Sequence, residues 1–149
     1  MAEFQFDFLS GNIITERDNV NLIAPDTSID KVLSNISSLG SDVTYREPKI
    51  PEYAGLKRFV FSGFSFANTL VTVTLEYDSN VQKIHIFPPF GNSEGQRQDC
   101  ANKIVKVLAD SSPKEIYPKY QFAEFEWGSI KVSTDRQDGF GAVITYGIA

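Results

Sequence analysis

Residues 59–87 read FVFSGFSFANTLVTVTLEYDSNVQKIHIF, and their phase decides the fold. Val71, Val73, Leu75 and Tyr77 alternate with Thr72, Thr74 and Glu76, the period-two pattern of a half-buried strand. Upstream, Phe59 and Phe61 share one strand face while Phe64 and Phe66 fall on the other. A β-bulge at Ser62-Gly63 would return all four rings to one side. Asn68-Thr69 and Ser79-Asn80 supply turns, and Val81 to Phe87 makes a third strand. The run is therefore an antiparallel meander.

The flanks extend this pattern. Phe4, Phe6 and Phe8 alternate with Glu3, Gln5 and Asp7, Ser10-Gly11-Asn12 turns the chain, and Ile13 to Glu16 returns. Val20 to Ala24 adds a short strand. Asp26, Thr27 and Ser28 are N-cap types ahead of Ile29, Val32, Leu33, Ile36 and Leu39, and Gly40 suits the C-cap. The spacing predicts a helix over about 28–39. Ser93 and Gln96 fit a capping box before Cys100, Ala101, Ile104, Val105 and Leu108, which predicts a helix over about 94–110. Residues 41–58 read as strand and loop, and Pro48 and Pro51 forbid a central strand and mark the long loop. In the last third, Ala123, Phe125 and Trp127 alternate with Phe122, Glu124 and Glu126, then Ile130 to Thr134 pairs with Phe140 to Ile148 across an Asp138-Gly139 turn. Hairpins interrupted by two helices give an α+β class: a single domain over 1–149, with an antiparallel, curved sheet and both helices packed on one face.

Charge narrows the function. The 149 residues carry 19 acidic and 14 basic side chains, a formal charge of −5. That sign argues against a nucleic-acid partner, whose phosphates call for clustered Lys and Arg. The excess sits at the two ends: residues 1–30 hold six acids and one base, residues 121–149 four acids and two bases. The middle, with nine acids and eleven bases, is mildly basic. Neither a signal peptide nor a membrane span is written in the sequence, and one cysteine excludes an intrachain disulfide. A cytoplasmic location is expected.

Few parts for catalysis are present. His85, the one histidine, shares a strand face with Val81, Lys83 and Phe87, and reads as a half-buried strand residue rather than a general base. Cys100 lies on an apolar helical stripe and reads as a small hydrophobe. Glu124 and Glu126 fall on one strand face, roughly 7 Å apart. That suits a carboxylate pair, but also a solvated face. Asp135 and Asp138 belong to a hairpin turn without the ligand density of a calcium loop. No phosphate-binding glycine motif occurs. The expectation is no catalytic residue, no metal and no cofactor.

With twelve Phe, six Tyr and one Trp, aromatic side chains are abundant, and several tyrosines fall in loops beside acids, a protein-binding composition. In size, acidity and α+β order the chain resembles small bacterial immunity proteins, the antitoxins that neutralise contact-dependent-inhibition or polymorphic toxins. The resemblance implies stoichiometric binding of a cognate toxin, with an acidic surface meeting a basic nuclease. From the charge map, the expected partner-binding residues are Glu47, Glu52, Tyr53, Glu124, Glu126, Asp135 and Asp138. Two other readings stand beside it: a small-ligand binder or enzyme with a cavity using His85 or the Glu124/Glu126 pair, and a structural or phage-type assembly subunit.

Overall fold

A computed structural model describes residues 2–15, 21–39, 43–47, 55–89, 91–109, 114–117, 120–134 and 141–147. In chain order the elements are β1 (Ala2–Phe6), β2 (Ile13–Thr15), β3 (Asn21–Ile23), α1 (Ile29–Ser37), β4 (Thr44–Arg46), β5 (Lys57–Phe66), β6 (Thr69–Tyr77), β7 (Val81–Phe87), α2 (Glu94–Ala109), β8 (Lys114–Tyr117), β9 (Tyr120–Phe125), β10 (Gly128–Ser133) and β11 (Gly141–Tyr146). The result is a mixed fold with one large, open sheet and two helices. The strands run in the order β3-β2-β1-β5-β6-β7-β11-β10-β9-β8, with β4 also on β5.

The meander forms as its phase requires. The register of β5 on β6 slips between Phe61 and Phe64, where Gly63 has a φ of 96°. Phe61, Phe64 and Phe66 are consequently all buried, and Phe59 packs at their margin. The bulge also divides the outer edge of β5 between two partners. Residues 60–62 pair with β4, and Phe64 and Ser65 pair with β1.

Three expectations need correction. The sheet is not wholly antiparallel, because β1 runs parallel to β5. Ring packing accounts for it: Phe4 stacks on Phe66 at 4.8 Å and meets Phe64 edge-on at 5.4 Å. The β5–β6 turn is Ala67-Asn68, one residue earlier than expected, with φ of 54° and 59°. Two positive φ values match the right-handed twist of a two-residue hairpin. Finally, a second bulge opposite Glu76 and Tyr77 turns Val81 into the core, away from the face of Lys83, His85 and Phe87.

Both helices begin as their caps dictate. Ser28 accepts a hydrogen bond from the Lys31 amide, and Ser93 and Gln96 exchange the two bonds of a capping box. The entry to α1 is tied to the β6–β7 turn: the Ile29 amide donates to Ser79 O, and the Val81 amide to Thr27 O. Position Gly40 lies outside the described residues. Val32 and Ile36 of α1 join Cys100, Ile104 and Leu108 of α2 in one cluster with Leu75, Ile84, Ile86 and Ile144. Burying each such aliphatic side chain stabilises the fold by about 1.5–3 kcal/mol. The helices thus cover one sheet face, and the other face carries Thr72, Thr74, Glu76, Lys83 and His85 together with Val60, Phe87 and Val143.

Candidate functional site

The two acidic ends of the chain meet, though not as paired strands. In the sheet, β5, β6 and β7 separate β1 from β11. The loops after β1 and β9 nevertheless touch. Trp127 Nε1 donates to Phe8 O at 2.8 Å, and the Tyr146 hydroxyl donates to Gly11 O at 2.6 Å. Around these bonds Trp127 stacks on Phe125 (4.9 Å) and meets Phe6 edge-on (5.4 Å), and Phe8 leans on Phe125 (6.2 Å). Gly11 permits the approach: a Cβ there would stand 2.5 Å from Trp127 Cδ2, at a φ of 77°. Burial pushes the Tyr146 phenol pKa up, so its proton stays on the donor.

The loop above this base is braced. Asp7 accepts from the Leu9 amide and the Ser10 hydroxyl, and its carbonyl accepts from the Gly11 amide. The bracing holds Leu9 outward at 94% exposure. Beside it, β9 and β10 close through a two-residue turn, Glu126-Trp127. Glu124 and Glu126 are exposed and border a concavity of about 290 Å³ with Phe122, Phe125, Gly128, Ser129 and Gly147. The turn corrects one expectation. Glu126 is not on the strand face of Glu124, because the hairpin needs it at the tip.

The helix-free face has a different constitution. Arg58, Glu76 and Lys83 stand in one cross-strand row on β5, β6 and β7; Arg46, Val60, Thr74 and His85 stand in the next. Glu76 is buried at 4% exposure and holds a partner on each side. Arg58 Nη2 lies 2.8 Å from Oε1, with Nε also donating at 3.0 Å; His85 Nε2 lies 3.2 Å from Oε2. Burial pushes the Glu76 carboxyl up, but the hydrogen bonds and charges of His85 and Arg58 outweigh it and hold the group below its ordinary value of 4.5.

Of the expected partner-binding residues, Glu124 and Glu126 come together at the hairpin end. Glu47 is exposed after β4, on the far side of β5 from β9 in strand order. Glu52, Tyr53, Asp135 and Asp138 lie outside the described residues. His85 is half-buried on its strand, and Cys100 is buried, its thiol pKa pushed up by burial. Among the described residues no group of three His, Cys, Asp or Glu side chains could hold a metal ion, and no helix is long and apolar enough to cross a membrane. Leu9 and the Arg58–Glu76–His85 array are absent from the expectations. Leu9 carried a signal, an aliphatic residue beside turn chemistry; the array did not, because only the strand register creates it.

Compared with protein-family models, curated proteins and solved structures, the chain matches none.

Proposed function

We propose that the chain is a protein-binding inhibitor of the toxin-immunity kind, which neutralises a basic partner, such as a nuclease, by stoichiometric contact at the hairpin end. The observation that carries this reading is Leu9. A leucine held 94% exposed on a turn with five internal hydrogen bonds is an ordered apolar projection. Interfaces are built around such anchors when a polar rim surrounds them. Glu124 and Glu126 supply an acidic rim, which steers a basic partner and favours its docking. The aromatic base fixes the surface before binding, so little ordering entropy is lost on association.

The ligand-cavity reading is less well supported, since the carboxylates around the concavity are exposed rather than convergent in a deep pocket. Affinity capture from a source lysate, followed by titration of the captured protein's activity, tests the proposal. One basic protein is expected, inhibited fully at one equivalent. Capture of no protein, or of one whose activity is untouched at saturation, would sink the idea.

A further inference from the structure

The helix-free face carries positive charge in a chain whose net charge is −5. Across the adjoining strands β4, β5, β6 and β7 it presents Arg46, Arg58 and Lys83 against Glu76, a local excess of two positive charges, with His85 among them. The nearest charged positions on the same face further along the sheet are Lys131 and Glu124, in β10 and β9. Strands lie about 4.8 Å apart and rows about 7 Å apart, so the patch is roughly 7 by 15 Å at the backbone. Arg46 stands in the row of Thr74 and His85, and Lys83 in the row beside it.

We propose that this patch is a binding site for the dianionic phosphate of a small phosphate monoester, distinct from the hairpin end. Glu76 does not neutralise the patch so much as organise it. It takes the Arg58 guanidinium on one oxygen and His85 Nε2 on the other, which fixes the direction of the ring. The remaining ring nitrogen, Nδ1, becomes a second donor when the imidazole is protonated. No described residue pairs with the Lys83 ammonium or the Arg46 guanidinium in a salt bridge. Thr74, half-buried between Glu76 and His85 on this face, offers a hydroxyl.

Charge decides between oxyanions. A phosphate monoester carries about −1.5 to −2 at pH 7 and three acceptor oxygens, which matches a local excess of two. A single carboxylate, at −1, would leave half of that excess unanswered. A phosphodiester chain carries one charge per unit and calls for a longer basic track than four strands provide.

Because His85 is the one histidine, its ring gives a single, assignable NMR signal. The experiment titrates the full chain with inorganic phosphate, and separately with acetate and a short single-stranded DNA, at constant ionic strength. Phosphate is expected to shift the His85 ring signal saturably, and acetate to leave it near its starting position. Lys83→Gln and Arg46→Gln are each expected to weaken phosphate binding roughly tenfold, the scale of one charge-assisted hydrogen bond. Asp30→Asn, exposed on α1, should leave it unchanged. Backbone spectra of the variants report that each is folded. Equal responses to phosphate and acetate, unchanged affinity in both cationic variants, or tighter binding of the DNA at equal phosphate concentration would each overturn the proposal.

Discussion

The hairpin end and the helix-free face of the sheet are both candidate binding surfaces, and they are held in shape by different forces. At the hairpin end, Trp127, Phe125, Phe6 and Phe8 pack beneath a loop and two neutral hydrogen bonds fix their depth. On the open face, a buried carboxylate holds an arginine and a histidine from the strands on either side. Apolar packing changes little with pH, whereas an ion-paired array depends on protonation. The two surfaces should therefore fail under different challenges.

Removing the base of the hairpin end should cost most. Trp127→Ala deletes the ring stacked on Phe125 and the donor to Phe8 O, and about 3 kcal/mol of stability is expected to go, read from urea unfolding. Next comes the centre of the open face. Glu76→Gln leaves Arg58 and His85 facing a neutral amide, with an expected loss of about 1–3 kcal/mol at neutral pH. The pH dependence separates the two. Since the Glu76 carboxyl titrates lower folded than unfolded, its contribution is full above its ordinary value of 4.5 and is lost as pH falls through the depressed folded value. In acid the stabilities of wild type and Glu76→Gln should converge, while the deficit of Trp127→Ala persists; a Glu76→Gln deficit that is independent of pH would remove the distinction. The smallest of these effects is expected for Tyr146→Phe, which leaves Gly11 O without its donor at about 1 kcal/mol and removes the stability lost as a buried phenol ionises in strong base.

The sequence made one of these regions more legible than the other. Strand phase located the phenylalanine bulge, and cap chemistry located both helices to within two residues at their ends. These are local signals, written in residues close in the chain. The meeting of Gly11 with Trp127 and Tyr146 is not local: it depends on the curl of a sheet whose strand order runs through β5, β6 and β7 between them. Glu76 could be placed on the polar face from its alternation with Leu75 and Tyr77. Its partners could not, because Arg58 and His85 are chosen by registers that two bulges adjust. Likewise, Glu126 looked like a strand residue because only the closure of Phe125 on Gly128 shows that it occupies a turn.

The hairpin end is tested most directly by the affinity of the captured partner for three variants of similar stability: Leu9→Ser, Glu124→Lys with Glu126→Lys, and Arg46→Gln with Lys83→Gln. Surface changes of this kind alter stability by about 0.5 kcal/mol or less, so affinity differences report the interface. The first two are expected to weaken binding at least tenfold, the charge reversal mainly by slowing association at low salt, and the third is expected to leave it unchanged. Full affinity in both hairpin-end variants, or loss confined to the Arg46/Lys83 pair, would contradict the assignment of the partner surface to Leu9, Glu124 and Glu126.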